Sequence, residues 1–383
     1  MQKSFRRKTR VWQDHSERSS TNTASTAGPC EAARAENGDH VKGKQLLCAA
    51  VIAAFALACC NRKPAVATVT LEGAGGTLPA PLYAKWFKAY AGAHPGLETD
   101  YEALGSGTGV KRFIDHTVDF GASDAAMTED EIDRVDPALG VQLLPLTASS
   151  IVLIYNLPGT PQLKLSRKAY AGIFLGKVTK WNDPLIAKDN EGIRLPAAAI
   201  HVVVRADSSG TTFALTNHLS AISEPFARSI GPDKMPDWTI GVRAKGNDGV
   251  AATVKNTPGA IGYVAYGTAK SGHLPMASLE NKAGAFVAPT TASGLAALDS
   301  AMVTDDFIVW VTDPEPKNSY PIVTYTWMLC YKRYDQSKHD ALIGLLNYGL
   351  TDGQKDAESL GYLPLPAKVA DKVRAALLTI TAI

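Results

Sequence analysis

The sequence predicts an α/β fold with a mainly parallel sheet. Residues 151–155 (IVLIY) and 200–204 (IHVVV) form short runs of buried-strand length. Apolar residues recur at helical spacing elsewhere, as Leu82, Trp86 and Tyr90 and as Leu215, Leu219 and Ile222. The two kinds of stretch alternate from about residue 66 to the C-terminus. Alternation of this kind is how parallel strands are joined, because each parallel pair needs a long crossover.

The N-terminal part follows a different pattern. Residues 1–40 are rich in Ser, Thr, Ala and charge and lack apolar periodicity, so they read as disordered or as an upstream extension of a chain whose translation begins near Val41. Residues 46–60 (LLCAAVIAAFALACC) are uniformly apolar, with Lys42 and Lys44 just before them. A short cationic lead followed by about 15 apolar residues and a small-residue end is the layout of a secretory signal peptide, here over residues 41–59. The run is too short for an ordinary membrane span, which takes about 20 residues. Its end resembles a lipobox. Cys59 and Cys60 are both lipidation candidates: with Cys59 the third residue upstream is Ala56, and with Cys60 it is Leu57. Lipidation and plain cleavage both remain open.

Charge sharpens this division. The chain carries 39 Lys+Arg and 37 Asp+Glu, a net +2 that disfavours a nucleic-acid binder. Nine of those bases and five of those acids lie in residues 1–58, so the remainder is slightly negative, at −2. Only Cys330 lies beyond Cys60, which excludes an internal disulfide in the body. It sits in the apolar stretch 325–331, where a buried, inert thiol is expected. Trp181 and the aromatics of 325–331 are assigned to the core, and Lys111 and Arg112 to a solvated helix face.

Residues 66–71 (VATVTL) read as the first strand. A helix with Pro79 in its first turn follows. Strand 200–204 runs into a loop and the helix bearing Leu215. A last helix carries Val369, Val373, Leu377 and Ile380, after Pro364 and Pro366.

Three small-residue loops stand at helix starts: residues 73–77 (GAGGT), 105–109 (GSGTG) and 208–212 (SSGTT). Glycine allows close approach to backbone, and a helix N-terminus offers free N–H groups and a partial positive charge. One such loop is an ordinary cap. Three in one chain, with Arg205 just before the third, point to a small oxyanion. Enzyme motifs are missing: there is no G-x-x-x-x-G-K-[ST], the 105–109 loop is not G-x-G-x-x-G, and residues 121–125 (GASDA) miss G-x-S-x-G at the last position. The six histidines of the body form no H-x-x-x-H pair. A binding protein without metal or cofactor is favoured.

The stretches 73–83 (GAGGTLPAPLY), 119–124 (DFGASD) and 205–211 (RADSSGT) resemble the PstS family of periplasmic phosphate-binding proteins of bacterial phosphate ABC transporters. So do 176–181 (GKVTKW), 246–251 (GNDGVA), 258–263 (PGAIGY) and 361–366 (GYLPLP), in the family's order. The resemblance implies a type II periplasmic-binding-protein fold, with two lobes of mixed sheets and a double crossover hinge. Residues 65–149 plus 322–383 would form lobe I and 154–320 lobe II, with crossings near 149–154 and 320–324. It also implies a non-enzymatic receptor that delivers phosphate to permease and ATPase subunits, periplasmic or lipid-anchored.

The resemblance further implies a site. Thr77, the backbone N–H of Leu78, and Ser106 would reach phosphate from lobe I. Arg205, Ser209, Gly210 and Thr211 would reach it from lobe II. Asp124 would be the acceptor for a phosphate proton, and Asp207 would orient the guanidinium. Sulfate has no proton to give near neutral pH, so one buried acceptor rejects it. Leu78 stands where the family usually has Phe, Ser208 where Gly is common, and Gly107-Thr108 vary the second loop. Other readings stay open: Asp124 as cap of a helix over 126–134, an Arg205–Asp207 pair that is purely structural, a site for sulfate, tungstate or molybdate, and a phosphatase on the same scaffold.

Overall fold

The computed structural model describes residues 68–160 and 162–383. The signal-like run and Cys59 and Cys60 lie outside the described residues. Among the described residues no helix is long and apolar enough to cross a membrane.

The chain opens with β1 (Val69–Gly75), α1 (Ala80–Ala93), β2 (Leu97–Ala103), α2 (Ser106–Ile114), β3 (Phe120–Ser123) and the short α3 (Glu129–Ile132). The long β4 (Val141–Tyr155) follows. Then come β5 (His201–Arg205), α4 (Gly210–Ile222), β6 (Val242–Ala244), α5 (Gly246–Asn256) and β7 (Ala260–Ala265). The chain returns through β8 (Val323–Tyr331) and ends with α6 (Gln336–Leu350) and α7 (Ala367–Leu377). Eight strands form one sheet in the order β2-β1-β3-β8-β4-β7-β5-β6.

The sheet is mixed, as the resemblance implies, and not mainly parallel as the alternation alone suggests. The flanks are parallel, through β1 with β2 and β3, and β5 with β6 and β7. The centre is antiparallel, because β8 pairs head-to-tail with β3 and β4, and β4 with β7. β8 enters from the irregular segment that follows residue 300.

β4 ties the sheet together. Its residues 141–150 pair with β8 and its residues 151–155 with β7, so the partner changes between Ser150 and Ile151. The Ile151 N–H donates to the Ile322 carbonyl at 2.9 Å, just before β8 begins. Residues 149–151 and 322–324 meet at this junction. Every residue of β4 from Leu143 onward is buried, which explains why 151–155 reads as an unbroken apolar run.

A register shift interrupts the β8–β4 ladder at Thr326/Trp327, opposite Pro145 and Leu146. Proline has no N–H to give the ladder, and a bulge accommodates it. The displaced Leu146 carbonyl accepts instead from Gln354 Nε2 at 3.0 Å.

Several element bounds moved. β1 runs to Gly75 and so takes three residues of the first glycine loop into the strand. The helix expected over 126–134 is only one turn long, and Thr128 caps it through a reciprocal pair with Glu131. Asp124 is therefore not its cap. Trp181, Trp327 and Cys330 are fully buried, as expected. Burial pushes the Cys330 thiol well up, which keeps it unreactive.

Candidate functional site

Three antiparallel pairings separate the two parallel groups, so β1, β2 and β3 run opposite to β5, β6 and β7, and the loops after the carboxyl ends of the two groups meet. Ligands of open α/β sheets bind beyond such carboxyl ends. Thr77 follows β1, Ser106 follows β2 and Asp124 follows β3. Arg205 ends β5, and Asp207, Ser209, Gly210 and Thr211 follow it. The structure brings all of the sequence-predicted residues of the body into this region.

Gly210 shows how closely the loops meet. A Cβ there would lie 2.6 Å from Asp124 Cβ and 2.7 Å from Ser106 Oγ. The Gly107 N–H also donates across to the Ser208 carbonyl at 3.1 Å. The second loop turns at Gly105, whose φ of 102° disfavours any side chain, and its N–H is fixed to the Gly75 carbonyl at 2.9 Å. The N–H groups of Gly210 and Thr211, first in α4, have no intrahelical acceptor. We expect Gly210→Ala to force the loops apart, since the clash is with backbone-proximal atoms of Asp124. Overpacking of this size costs about 1–3 kcal/mol, so anion affinity should fall by roughly 10- to 100-fold in calorimetry.

Arg205 is 3% exposed. Its Nε donates to Asp207 Oδ1 at 2.9 Å and its Nη2 to Asp207 Oδ2 at 2.5 Å, a two-point grip that fixes the guanidinium plane. Burial works to raise the Asp207 carboxyl, but the Arg205 hydrogen bonds and charge, with the Gly246 N–H at 2.9 Å, outweigh it and hold it below its usual range. The Arg205 N–H donates to Tyr263 Oη at 3.2 Å, and that phenol shares a 2.7 Å hydrogen bond with Thr212 Oγ1. Nη1 is buried and has no partner among the described residues, and neither has Thr211 Oγ1.

Asp124 faces these groups. It is 1% exposed and pushed up to about 6, first by burial; the Thr326 hydroxyl, the Arg205 charge and the Ser106 hydroxyl pull the other way. Thr326 Oγ1 donates to Asp124 Oδ1 at 2.7 Å, and Thr324 Oγ1 to the Asp124 carbonyl at 2.9 Å.

The hydroxyls have their lone pairs engaged. Ser106 Oγ accepts from the Asp124 N–H at 3.2 Å, and Ser209 Oγ accepts from the Thr212 N–H at 3.1 Å as the cap of α4. Ser209's own N–H is held by the Lys234 carbonyl at 2.8 Å, and Lys234 Nζ pairs with Glu131 Oε1 at 2.5 Å. Thr77 Oγ1 accepts from Asn247 Nδ2 at 3.1 Å and from Arg205 Nη2 at 3.4 Å. The Ser209 and Thr77 hydroxyl protons are thereby left to donate, while the Ser106 hydroxyl also faces the Asp124 carboxylate. Leu78 is buried, with its carbonyl bonded to Tyr362 Oη at 2.6 Å, so its side chain packs while its backbone stays in the loop. A groove of about 300 Å³ adjoins the site, lined in part by Thr77, Asp207, Gly246 and Asn247.

The result is a largely buried cradle of hydroxyl, N–H and guanidinium donors with a single carboxylate acceptor. Its chemistry suits a tetrahedral oxyanion that still carries a proton. Among the described residues no group of three His, Cys, Asp or Glu could hold a metal ion.

Residues 62–352 match the model of the PBP superfamily domain. The chain is 40% identical over 313 residues to the phosphate-binding protein PstS of Pasteurella multocida, covering 80% of this chain and 89% of that protein. The chain belongs to the PstS family. A PstS from Methanocaldococcus jannaschii is 36% identical over 335 residues, covering 81% and 85%. Among solved structures, a high-affinity periplasmic phosphate-binding protein, PfluDING, bound with phosphate, aligns with a TM-score of 0.66 at 21% identity, over 80% of this chain and 93% of that one. A phosphate-bound substrate-binding protein from Clostridium perfringens aligns at 0.58 and 16% identity, over 78% and 100%. These likenesses establish the periplasmic-binding-protein fold that the resemblance implied.

Three contributors to this PstS-family site were missed in the sequence. Thr326 lies in a stretch that reads as core, and its signal was a lone hydroxyl in a buried strand. Asn247 lies in the matched segment 246–251 but was assigned no role. Tyr263, in 258–263, was likewise read only as part of a match.

Proposed function

We propose that this chain is a non-catalytic receptor that captures inorganic phosphate between two lobes and delivers it to the permease and ATPase subunits of an ABC importer. The lobes are residues 65–149 with 322–383, and 154–320, and they move about the β4–β8 junction. Thr77, Leu78 N–H, Ser106 and Asp124 hold the anion from one side; Arg205, Ser209, Gly210 and Thr211 hold it from the other, with Asp207 behind Arg205. Closure then forms the surface that the membrane subunits meet. The family's members and the export-like N-terminal run support a periplasmic location, free or anchored through Cys59 or Cys60. Sequencing the N-terminus of the exported protein distinguishes the two.

The observation that carries this reading is the pairing of buried, unpartnered donors, Arg205 Nη1 and Thr211 Oγ1, with the buried carboxylate of Asp124. Unpaired buried donors are costly, and a protonated oxyanion satisfies both them and the carboxylate. Isothermal titration with phosphate and with sulfate tests it. Phosphate should bind tightly and sulfate far more weakly at pH 7.5. No phosphate heat, or equal affinities, rejects the reading. Turnover of a chromogenic phosphate ester by the purified protein rejects the non-catalytic part.

A further inference from the structure

Asn247 is 1% exposed and reaches no charged group, yet it spans two parts of the site. Its Oδ1 accepts from the Ala265 N–H at the end of β7, at 3.2 Å. A backbone N–H can only donate, so this bond fixes the orientation of the amide. The Nδ2 end must therefore face Thr77, to which it donates at 3.1 Å. The Asn247 N–H and Arg205 Nη2 approach the same Thr77 oxygen, each at 3.4 Å. Thr77 Oγ1 thus meets only donors on its protein side. A hydroxyl has two acceptor positions and one proton. With its acceptor positions turned toward Asn247 and Arg205, the proton has nowhere to go but the cradle.

We infer that Asn247 is a positioning residue that makes Thr77 an obligate donor to the anion. The chain of constraint runs from the Ala265 backbone through one amide to one hydroxyl proton. It rests on the phosphate reading of this site. It also gives the site a second filter beside Asp124: a ligand whose oxygen at Thr77 carried a proton would meet donor against donor there. Asn247 bonds Thr77 and the Ala265 backbone, so in this proposal its effect passes through Thr77.

That dependence makes the test. Phosphate affinity is measured by titration calorimetry for the full chain and for Thr77→Val, Asn247→Ala, the double variant, and Asn247→Asp. Loss of one neutral hydrogen bond at the ligand corresponds to about a tenfold weaker Kd. We expect Thr77→Val and Asn247→Ala each to weaken binding by roughly tenfold, and the double variant to be no weaker than Thr77→Val alone. Asn247→Asp keeps the size and the Ala265 bond but offers Thr77 an acceptor. It should cost more than Asn247→Ala, on the order of 100-fold, because the Thr77 proton is diverted and a negative charge is added. Melting curves of the ligand-free proteins check that the variants fold. Additive losses in the double variant, or Asn247→Asp equal to the unmutated chain, overturn the inference. Absence of phosphate binding by the unmutated chain overturns the reading beneath it, and the inference with it.

Discussion

Arg205→Ala should weaken phosphate binding by about a thousandfold or more. The substitution removes a buried, charge-assisted donor, and each hydrogen bond of that type contributes about 1.5–3 kcal/mol. It also strips Asp207 of the two bonds that balance its charge, at 2.9 and 2.5 Å. That carboxylate then faces the incoming anion uncompensated. Breaking one side of a buried pair is costly for this reason, at about 3–5 kcal/mol. The two contributions separate experimentally. Arg205→Ala with Asp207→Asn removes the repulsion but not the lost donor, so it should recover part of the affinity. Arg205→Lys keeps the charge but cannot span Asp207 and the ligand with a planar fork, and should fall between the two. Calorimetry on the four proteins decides it. An Arg205→Ala variant that binds within threefold of the unmutated chain rejects the role given to Nη1.

Arg205 was legible because its signals are local. The residues 205–211 supply an arginine, a carboxylate two positions on, and a helix start, and these act on one another within a single turn of chain. Thr77 and Ser106 share that property, each within three residues of a strand end, whereas Asp124 was assigned only through the family resemblance. Strand order and direction were not legible, because β8 pairs with β4 across about 180 residues and nothing in either strand encodes the partner. The same distance hid Thr326. Its hydroxyl meets Asp124 because β8 pairs antiparallel with β3, with Trp327 opposite Ser123, a feature of two strands at once. Asn247 was hidden for a related reason: its role depends on which end of its amide the Ala265 backbone selects.

Asp124→Asn should reverse the anion preference and remove its pH dependence. Asp124 is buried and pushed up to about 6, so it is largely ionised at pH 7. In the proposed role it would, as a carboxylate, accept the proton of a protonated phosphate; against sulfate it would leave two negative groups in contact. Sulfate therefore binds only the fraction of molecules in which Asp124 is protonated. With a midpoint near 6 that fraction is about 1% at pH 8 and about 90% at pH 5. Sulfate affinity of the unmutated chain should rise by about 100-fold over that interval and level off below pH 6. In Asp124→Asn the amide can donate at every pH, so sulfate binding should be strong and flat, while phosphate loses its acceptor. A parallel sulfate titration in both proteins rejects the proton-acceptor role.

The ligand-free fold carries the same signature with a definite sign. The carboxyl titrates near 3.8 when unfolded and near 6 when folded, so folding favours the protonated form. Below pH 3.8 both states are protonated and the group adds no penalty. The penalty grows as pH rises and is complete above 6, where it amounts to about 3 kcal/mol. Asp124→Asn should therefore melt at a higher temperature than the unmutated chain at pH 7.5, with the gap closing near pH 4. On the proposed function, that loss of stability is offset by selectivity, since an ionised, buried carboxylate opposite an unpaired guanidinium nitrogen would distinguish two tetrahedral anions of nearly equal size. A gap that persists unchanged to pH 4 places the stabilisation somewhere other than this carboxylate.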